Sequence, residues 1–376
     1  MLRILACLAA LMALPSVVLG QTQPPAQVAD QPDDTPSIKL GATIFTNYTY
    51  QTAPQIVDTD GNSVNKSSFD VTRGFINVTG NINHMLTFRL TPDVVRDTSV
   101  GSSVNGSLVF RLTYAYLQAN LDDWLPRGSY GRFGAQQTPY IDYTESIYRY
   151  RFQGTTFAER AGYLALSDFG ASFHLSLPSD YGEVHVGVFN GESVNRPEVN
   201  NAKAFMVRGT IRPFAKSPTM LRGLRATGFV DGDSYVMNGE RQRLIGQVTF
   251  EHELVNAGFE YLDAKDQPSA KVAVVEGKGY SIWATPKSRI GWEGLIRYDH
   301  LTPNSSPLIA PAFTALNATT MYSSQQQNRL IVGAAYWFPH RGTVSSAVLV
   351  DYDEQRFVDV SATPTKTIGV HALVNF

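Results

Sequence analysis

Four arginines, Arg73, Arg89, Arg111 and Arg132, sit in four successive runs where apolar and polar residues alternate. Each lies on the polar parity, opposite apolar neighbours such as Ile76, Val78, Leu86, Phe88, Phe110 and Leu112. A guanidinium does not lose its proton in a protein, so this pattern supplies fixed positive charge. Along one wall of a water-filled passage it favours anions, because low-dielectric surroundings focus the field on a small solute. The same arginines could also pair with loop carboxylates and fix a loop. A second constellation occupies 138–168, a polar insertion carrying Tyr140, Asp142, Tyr143, Glu145, Ser146, Tyr148, Arg149, Tyr150, Arg151, Phe152, Glu159 and Arg160. Long connections without elements of their own are usually functional or disordered, and aromatic residues with mixed charge argue for packing. We expect it to fold inward and narrow the passage opposite the arginines, with Arg149 and Arg151 adding to the basic lining. The alternative is an external loop packed on its neighbours.

Other chemistry is thinly supported. His174 and Ser176 share a parity and could serve as base and nucleophile of a lipid hydrolase, but no Asp or Asn is marked as the group that would orient the histidine. His84, His174, His185, His252, His300, His340 and His371 show no metal-binding spacing, and Cys7 is the only cysteine. No metal site, disulfide, thiolate chemistry or cofactor is therefore expected. The spaced glycines of Gly223 to Gly232 lead into strand alternation rather than a helix, so they do not form a phosphate-cradling loop.

The arginines need elements that hold one parity toward water. From Ser37 onward, runs of about ten residues alternate with the period of two expected of strands that have one apolar and one aqueous face. Ile290, Trp292, Gly294, Ile296 and Tyr298 alternate with Arg289, Glu293, Arg297 and Asp299. Phe205, Val207, Gly209 and Ile211 alternate with Arg208 and Arg212, and Leu244, Gly246, Val248 and Phe250 with Arg243, Gln247 and Glu251. Such segments start near 38, 69, 85, 107, 130, 169, 182, 203, 222, 242, 254, 277, 289, 326, 343 and 365, which makes sixteen. Short joins, at Asn81–Asn83, Pro178–Asp180, Glu251–Leu254, Pro286–Ser288 and Pro339–Gly342, contrast with long ones. The long ones are Gln51–Ser67, Val95–Asn105, Thr138–Asp168, Gly191–Ala202 and Thr302–Ser324. Membrane barrels have short turns at one end and longer loops at the other. An even strand number puts both termini at the short-turn end.

Composition and termini agree. Arg3, the apolar stretch Ile4–Leu14 and the small residues before Gln21 read as an export signal over 1–20. Cys7 stands too close to the start for a lipoprotein signal. The proline-rich residues 21–36 suit an extended tether, and 37–376 the barrel, with 138–168 as its constriction loop. Beyond the signal no run approaches the ~18 apolar residues of a membrane helix. A closed barrel instead satisfies its backbone within lipid through strand pairing. With 31 Lys and Arg against 33 Asp and Glu, nothing favours a nucleic-acid partner. The final residues Ile368, Val370, Ala372, Val374 and Phe376 alternate up to a terminal phenylalanine, resembling the signal by which barrels are presented to their assembly machinery.

FDVTRGFINVTG (69–80), YGRFGAQQTPY (130–140) and the stretch from Glu145 through Phe157-Ala158-Glu159-Arg160 to Gly162 resemble the phosphate-selective porin O and P family. The resemblance extends more faintly to Phe376. It implies a trimeric, 16-stranded antiparallel transmembrane β-barrel whose third loop folds inward, with anion selectivity from basic lumenal residues. Two departures point to a weakly anion-preferring or general channel rather than a phosphate-specific one: only Arg73 stands where members carry an arginine-rich run, and no lysine cluster is evident. The expected function is passive diffusion of small hydrophilic solutes, with no catalysis, across the outer membrane of a bacterium. The surroundings would be lipid and lipopolysaccharide, and the solutes small anions. A non-conducting barrel that binds or acts structurally is the alternative, since smaller barrels fill with side chains. The chain is too short for a plug domain and 22 strands.

Overall fold

The computed structural model describes residues 34–198, 200–234, 236–305, 326–340, 344–358 and 361–376. Thr35–Phe376 form one compact unit. The expected signal at 1–20, most of the expected tether at 21–36 and nearly all of the expected long loop Thr302–Ser324 lie outside the described residues, as does part of the join Pro339–Gly342.

Alternation of period two becomes a closed barrel of sixteen antiparallel strands. They are β1 (Ser37–Ala53), β4 (Ser67–Asn81), β5 (Leu86–Arg96), β6 (Leu108–Asn120), β7 (Tyr130–Gln137), β8 (Ser167–Ser176), β9 (Gly182–Phe189) and β10 (Ala204–Ile211). The second half continues with β11 (Leu224–Asp233), β12 (Arg241–Glu251), β13 (Val255–Asp266), β14 (Val275–Pro286), β15 (Trp292–Thr302), β16 (Gln327–Trp337), β17 (Ser345–Phe357) and β18 (Thr365–Asn375). Two short strands, β2 (Ile56–Val57) and β3 (Ser63–Val64), pair with each other in the first long connection. Each barrel strand begins within a few residues of the expected position.

Every strand pairs with its sequence neighbour in the barrel, and β1 pairs with β18, so Ile44 faces Val374 and Tyr48 faces Val370. Phe376 closes this seam with two backbone hydrogen bonds of 3.0 Å to Ala42. A closed sheet leaves no unpaired edge.

Connections 82–85, 177–181, 252–254 and 287–291 are short at one end. At the other end 54–66, 97–107, 138–166 and 190–203 are long. Length does not separate the two ends throughout. At the short end, 121–129 is drawn together by Gly128 N–H donating to Asp122 (2.7 Å), and 212–223 carries a single 3₁₀ turn over Met220–Gly223. At the long end, 234–240, 267–274 and 358–364 are brief.

The faces follow the expected parity. On β15, Trp292 and Ile296 are 54% and 51% exposed on the outside, whereas Arg297 and Asp299, facing in, are 1% and 6% exposed. One feature departs from simple alternation. Phe229, Ile245, Leu262, Gly279 and Leu301 form a continuous inward row across β11 to β15. Apolar side chains on the inner wall need cover, and they locate the core inside the barrel.

Candidate functional site

The cover is the segment between β7 and β8, residues 138–166. Its ends are clasped where Thr138 donates its amide to Leu166 O (3.1 Å) and its hydroxyl to Ala165 O (2.7 Å). Inside lie two helices that strand alternation did not anticipate, α1 (Pro139–Ile147) and the single turn α2 (Phe157–Arg160). Pro139 at the first helical position costs nothing, since that N–H has no helical partner. Tyr140, Ile141, Tyr143, Thr144 and Ile147 are buried at helical spacing and give α1 one packed face. That spacing was visible in the sequence and marks the segment as more than a loop.

The packed face rests on the inward row and on polar groups around it. Tyr140 lies 5.2 Å from Phe229, ring to ring, and Phe157 joins the same cluster as Ile245, Leu262 and Leu301. Gly279 makes the space: a Cβ there would stand 2.5 Å from His300 O of β15 and 2.7 Å from the tip of the Phe157 ring. Backbone groups of the segment are met by wall side chains. Arg208 donates to Pro139 O (2.8 Å), Arg297 to Thr155 O (3.0 Å) and Arg243 to Tyr163 O (3.0 Å). These arginines also lie over segment tyrosines, Arg208 at 4.4 Å from the Tyr143 ring centre, Arg297 at 5.2 Å from Tyr148 and Arg243 at 5.1 Å from Tyr163. Such contacts strengthen once desolvated. At the far end Glu293 receives Arg149 (2.5 Å) and Tyr150 (3.1 Å), and Arg149 lies over Trp337. Arg160 approaches Asp299 at 3.7 Å. The segment thus crosses the interior and covers the inner wall from β9 to β17, which is the inward fold expected.

The inner surfaces of β4 to β7 carry the four arginines. Register places them in successive inward rows rather than in one ring. Arg111 faces Asp93, Arg89 faces Tyr116 and Arg132 faces Gln118, while Arg73 lies one inward step beyond Phe75 of the Asp93 row. Their environments differ. Arg73 and Arg111 share the fully buried Asp93, at 3.9 and 3.1 Å, and Arg111 also donates to Asn195 in connection 190–203. Arg132 donates to Gln118 (2.8 Å), reaches Asp142 of α1 at 3.4 Å and lies over the Tyr116 and Tyr130 rings. Arg89 donates to Thr91 (3.0 Å) and Asn77 (2.9 Å) and covers the Tyr114 ring, without a carboxylate partner among the described residues.

Opposite, the segment presents Asp142, Glu145 and Glu159, with Arg151 held between the two glutamates. The remaining expected site residues serve structure. Tyr140 and Tyr150 are buried against the far wall, Arg149 is committed to Glu293, and the Ser146 hydroxyl donates to Tyr143 O. Asp93, Glu183 and Gln118 were not expected as site residues, because the partner of an inward side chain depends on strand register. His174 engages Gly128 O and Glu183 with its two ring nitrogens, which leaves neither for Ser176. Among the described residues no group of three or more His, Cys, Asp or Glu is placed to hold a metal ion.

No family profile and no curated protein sequence matches the chain. Solved structures do match. The anion-selective porin from Comamonas acidovorans shares 10% identity with a TM-score of 0.61, covering 91% of this chain and 99% of that one. Salmonella typhi OmpF, in complex with daunomycin, gives 12% and 0.60 over 90% of this chain and 97% of its own. OmpT, an outer membrane protein of Vibrio cholerae, in its trimer form, gives 12% and 0.56 over 91% and 100%. Identities this low carry the fold, a porin-like barrel along nearly the whole of each chain.

Proposed function

We propose that this barrel is an outer-membrane porin through which small hydrophilic solutes diffuse, with a preference for anions. One observation carries the reading: the inner segment is seated on one wall, and the wall left facing it bears Arg73, Arg89, Arg111 and Arg132. Sixteen strands enclose a lumen wider than side chains alone fill, and the segment narrows it between a basic wall and Asp142, Glu145 and Glu159. The outward face suits lipid. On β15, Trp292 and Tyr298 stand ~20 Å apart along the strand at ~3.4 Å per residue, with Ile296 between them. That is the arrangement of aromatic girdles around an apolar band. Lipid and lipopolysaccharide would surround it in the bacterial outer membrane, after export on residues 1–20 and insertion guided by Phe376. A homotrimer agrees with the trimer form described for the OmpT neighbour. Phosphate is one candidate solute; two of the four arginines are partly neutralised by Asp93, which favours a general anion preference over phosphate capture.

Liposome swelling tests the pore. Vesicles holding the folded protein should swell in an uncharged pentose and more slowly in a disaccharide; equal swelling with and without protein would reject it. Burial of Phe75 and Tyr114, 9% and 3% exposed, against the inner segment favours a second reading, a barrel that binds solute without conducting. Absence of swelling from folded protein would select that one.

A further inference from the structure

His174 of β8, 7% exposed, has an acceptor at each ring nitrogen. Nδ1 lies 3.1 Å from the carbonyl oxygen of Gly128 in connection 121–129, and Nε2 lies 3.2 Å from a carboxylate oxygen of Glu183 on β9. Neither a carbonyl nor an ionised carboxylate can donate, and a neutral imidazole carries a single N–H. Both contacts are hydrogen bonds only when the ring holds two protons, so the geometry is that of an imidazolium. Glu183 keeps its charge against Arg208, which donates to its other oxygen at 2.6 Å. Arg208 in turn donates to Pro139 O, at the first residue of α1. One chain of hydrogen bonds therefore runs from the short-end connection through β8, β9 and β10 to the start of the inner segment.

The groups around the ring come from each neighbouring element. From β7, the Tyr130 ring stacks on His174 at 4.7 Å, and Arg132 lies over Tyr130 at 4.2 Å. From β9, His185 meets it edge-on at 5.5 Å, fully buried and with neither nitrogen partnered, so it offers a second proton no acceptor. In the connection, Asp122 takes the Gly128 N–H, and Arg127 is exposed beside it. Glu183 is the carboxylate that meets the ring. Its side chain is 29% exposed and lines a cavity of about 530 Å³ among the ends of β8 to β12, which gives protons a route to the pair.

We infer that His174 is a pH-operated latch on connection 121–129. Protonated, it ties Gly128 to Glu183 and thereby to α1. When one proton leaves, the remaining N–H goes to the ionised Glu183, because a charge-assisted bond is the stronger. Nδ1 and the Gly128 carbonyl are then left lone pair against lone pair. The connection is held in acid and released as pH rises through the range in which imidazole ordinarily titrates, about 5 to 8. Ser129 is anchored separately, its hydroxyl taking the Ser176 N–H at 3.2 Å, so the part set free is the exposed stretch that ends at Gly128. The latch does not rest on the channel reading; where that reading holds, the latch governs the short-connection mouth of the passage.

Trypsin reads the connection directly, because Arg127 precedes Gly128. Folded protein in detergent micelles is cleaved briefly at about pH 6 and about pH 8, on either side of the ordinary imidazole transition. The cut after Arg127 is measured against the cut after Arg289, whose side chain is 85% exposed in connection 287–291, so that trypsin's own pH dependence cancels. Heat-modifiable gel mobility confirms that each variant is folded. In the parent the ratio should rise about fivefold from the lower to the higher pH, as the loss of one hydrogen bond of ordinary strength implies. His174→Gln should give a high ratio at both, since no imidazolium holds Gly128. Glu183→Gln should give a low ratio at both: its amide oxygen still accepts from Arg208 while its NH₂ donates to Nε2, and the neutral ring keeps its Nδ1–H for Gly128. His185→Gln should follow the parent. A parent ratio that does not change with pH, a rise that survives in folded His174→Gln or Glu183→Gln, or a rise lost in folded His185→Gln would each overturn the latch. None of these outcomes depends on conductance, so the latch and the channel reading fail separately.

Discussion

Asp93 has a fully buried side chain between two guanidiniums, those of Arg73 and Arg111. A buried carboxylate so placed cancels part of the field that either arginine would send into the lumen. Arg89, bonded to Thr91 and Asn77, keeps its whole charge. The basic wall is therefore uneven, although the sequence pattern treats its four members alike. Replacing Arg89 with Gln should weaken the wall's hold on an anion about fivefold, the effect of ~1 kcal/mol for one charge acting at ~4 Å in water-like surroundings, and so lower the ratio of anion to cation permeability. Arg111→Gln should do less, since Asp93 already opposes it. Asp93→Asn should raise the ratio while lowering thermal stability. Reversal potentials of the three variants rank them; equal shifts for Arg89 and Arg111 would show that Asp93 does not discriminate between them.

The inner segment depends on two features of its seat, the glycine that admits Phe157 and the ionised groups that meet its backbone. Phe157→Ala, which leaves the pairing of β14 with β15 untouched, should loosen the segment and raise both conductance and current noise, read from single channels. Arg297 is 1% exposed, binds Asp299 at 2.8 Å and caps Thr155 O. Arg297→Gln leaves Asp299 buried without its main partner and should cost about 3 kcal/mol, the low end for breaking a buried pair, seen as a lower unfolding temperature at fixed detergent. Much of this scale was legible in advance. Inward parity was assigned correctly to Glu293, Arg297 and Asp299, and the strand starts fell within a few residues of the observed ones, because alternation and turn residues are local signals. What the alternation concealed is the seat. Ile245 and Leu262 break the polar parity, yet only register shows that Phe229, Ile245, Leu262, Gly279 and Leu301 join in one row. The helix α1 was not legible as such because 138–168 reads by composition as a polar loop, while the helical spacing of its buried residues covers only nine positions.

At the scale of the whole molecule, closure is the decisive property. The β1–β18 seam leaves no edge, and Phe376 contributes its last two backbone hydrogen bonds. Deleting Phe376 should therefore reduce the yield of heat-modifiable protein in the outer-membrane fraction while the protein refolded in detergent stays largely intact; equal yields would separate the terminal residue from assembly. Fold and wall charge together carry the proposed function, in which a lumen passes between a basic wall and the carboxylates of the inner segment. The most direct test is current through purified, folded protein in a planar bilayer under a salt gradient. The account requires discrete conductance steps and a reversal potential of the anion-selective sign, reduced by Arg89→Gln. A cation-selective reversal potential, or no conductance from protein shown to be folded, would contradict it.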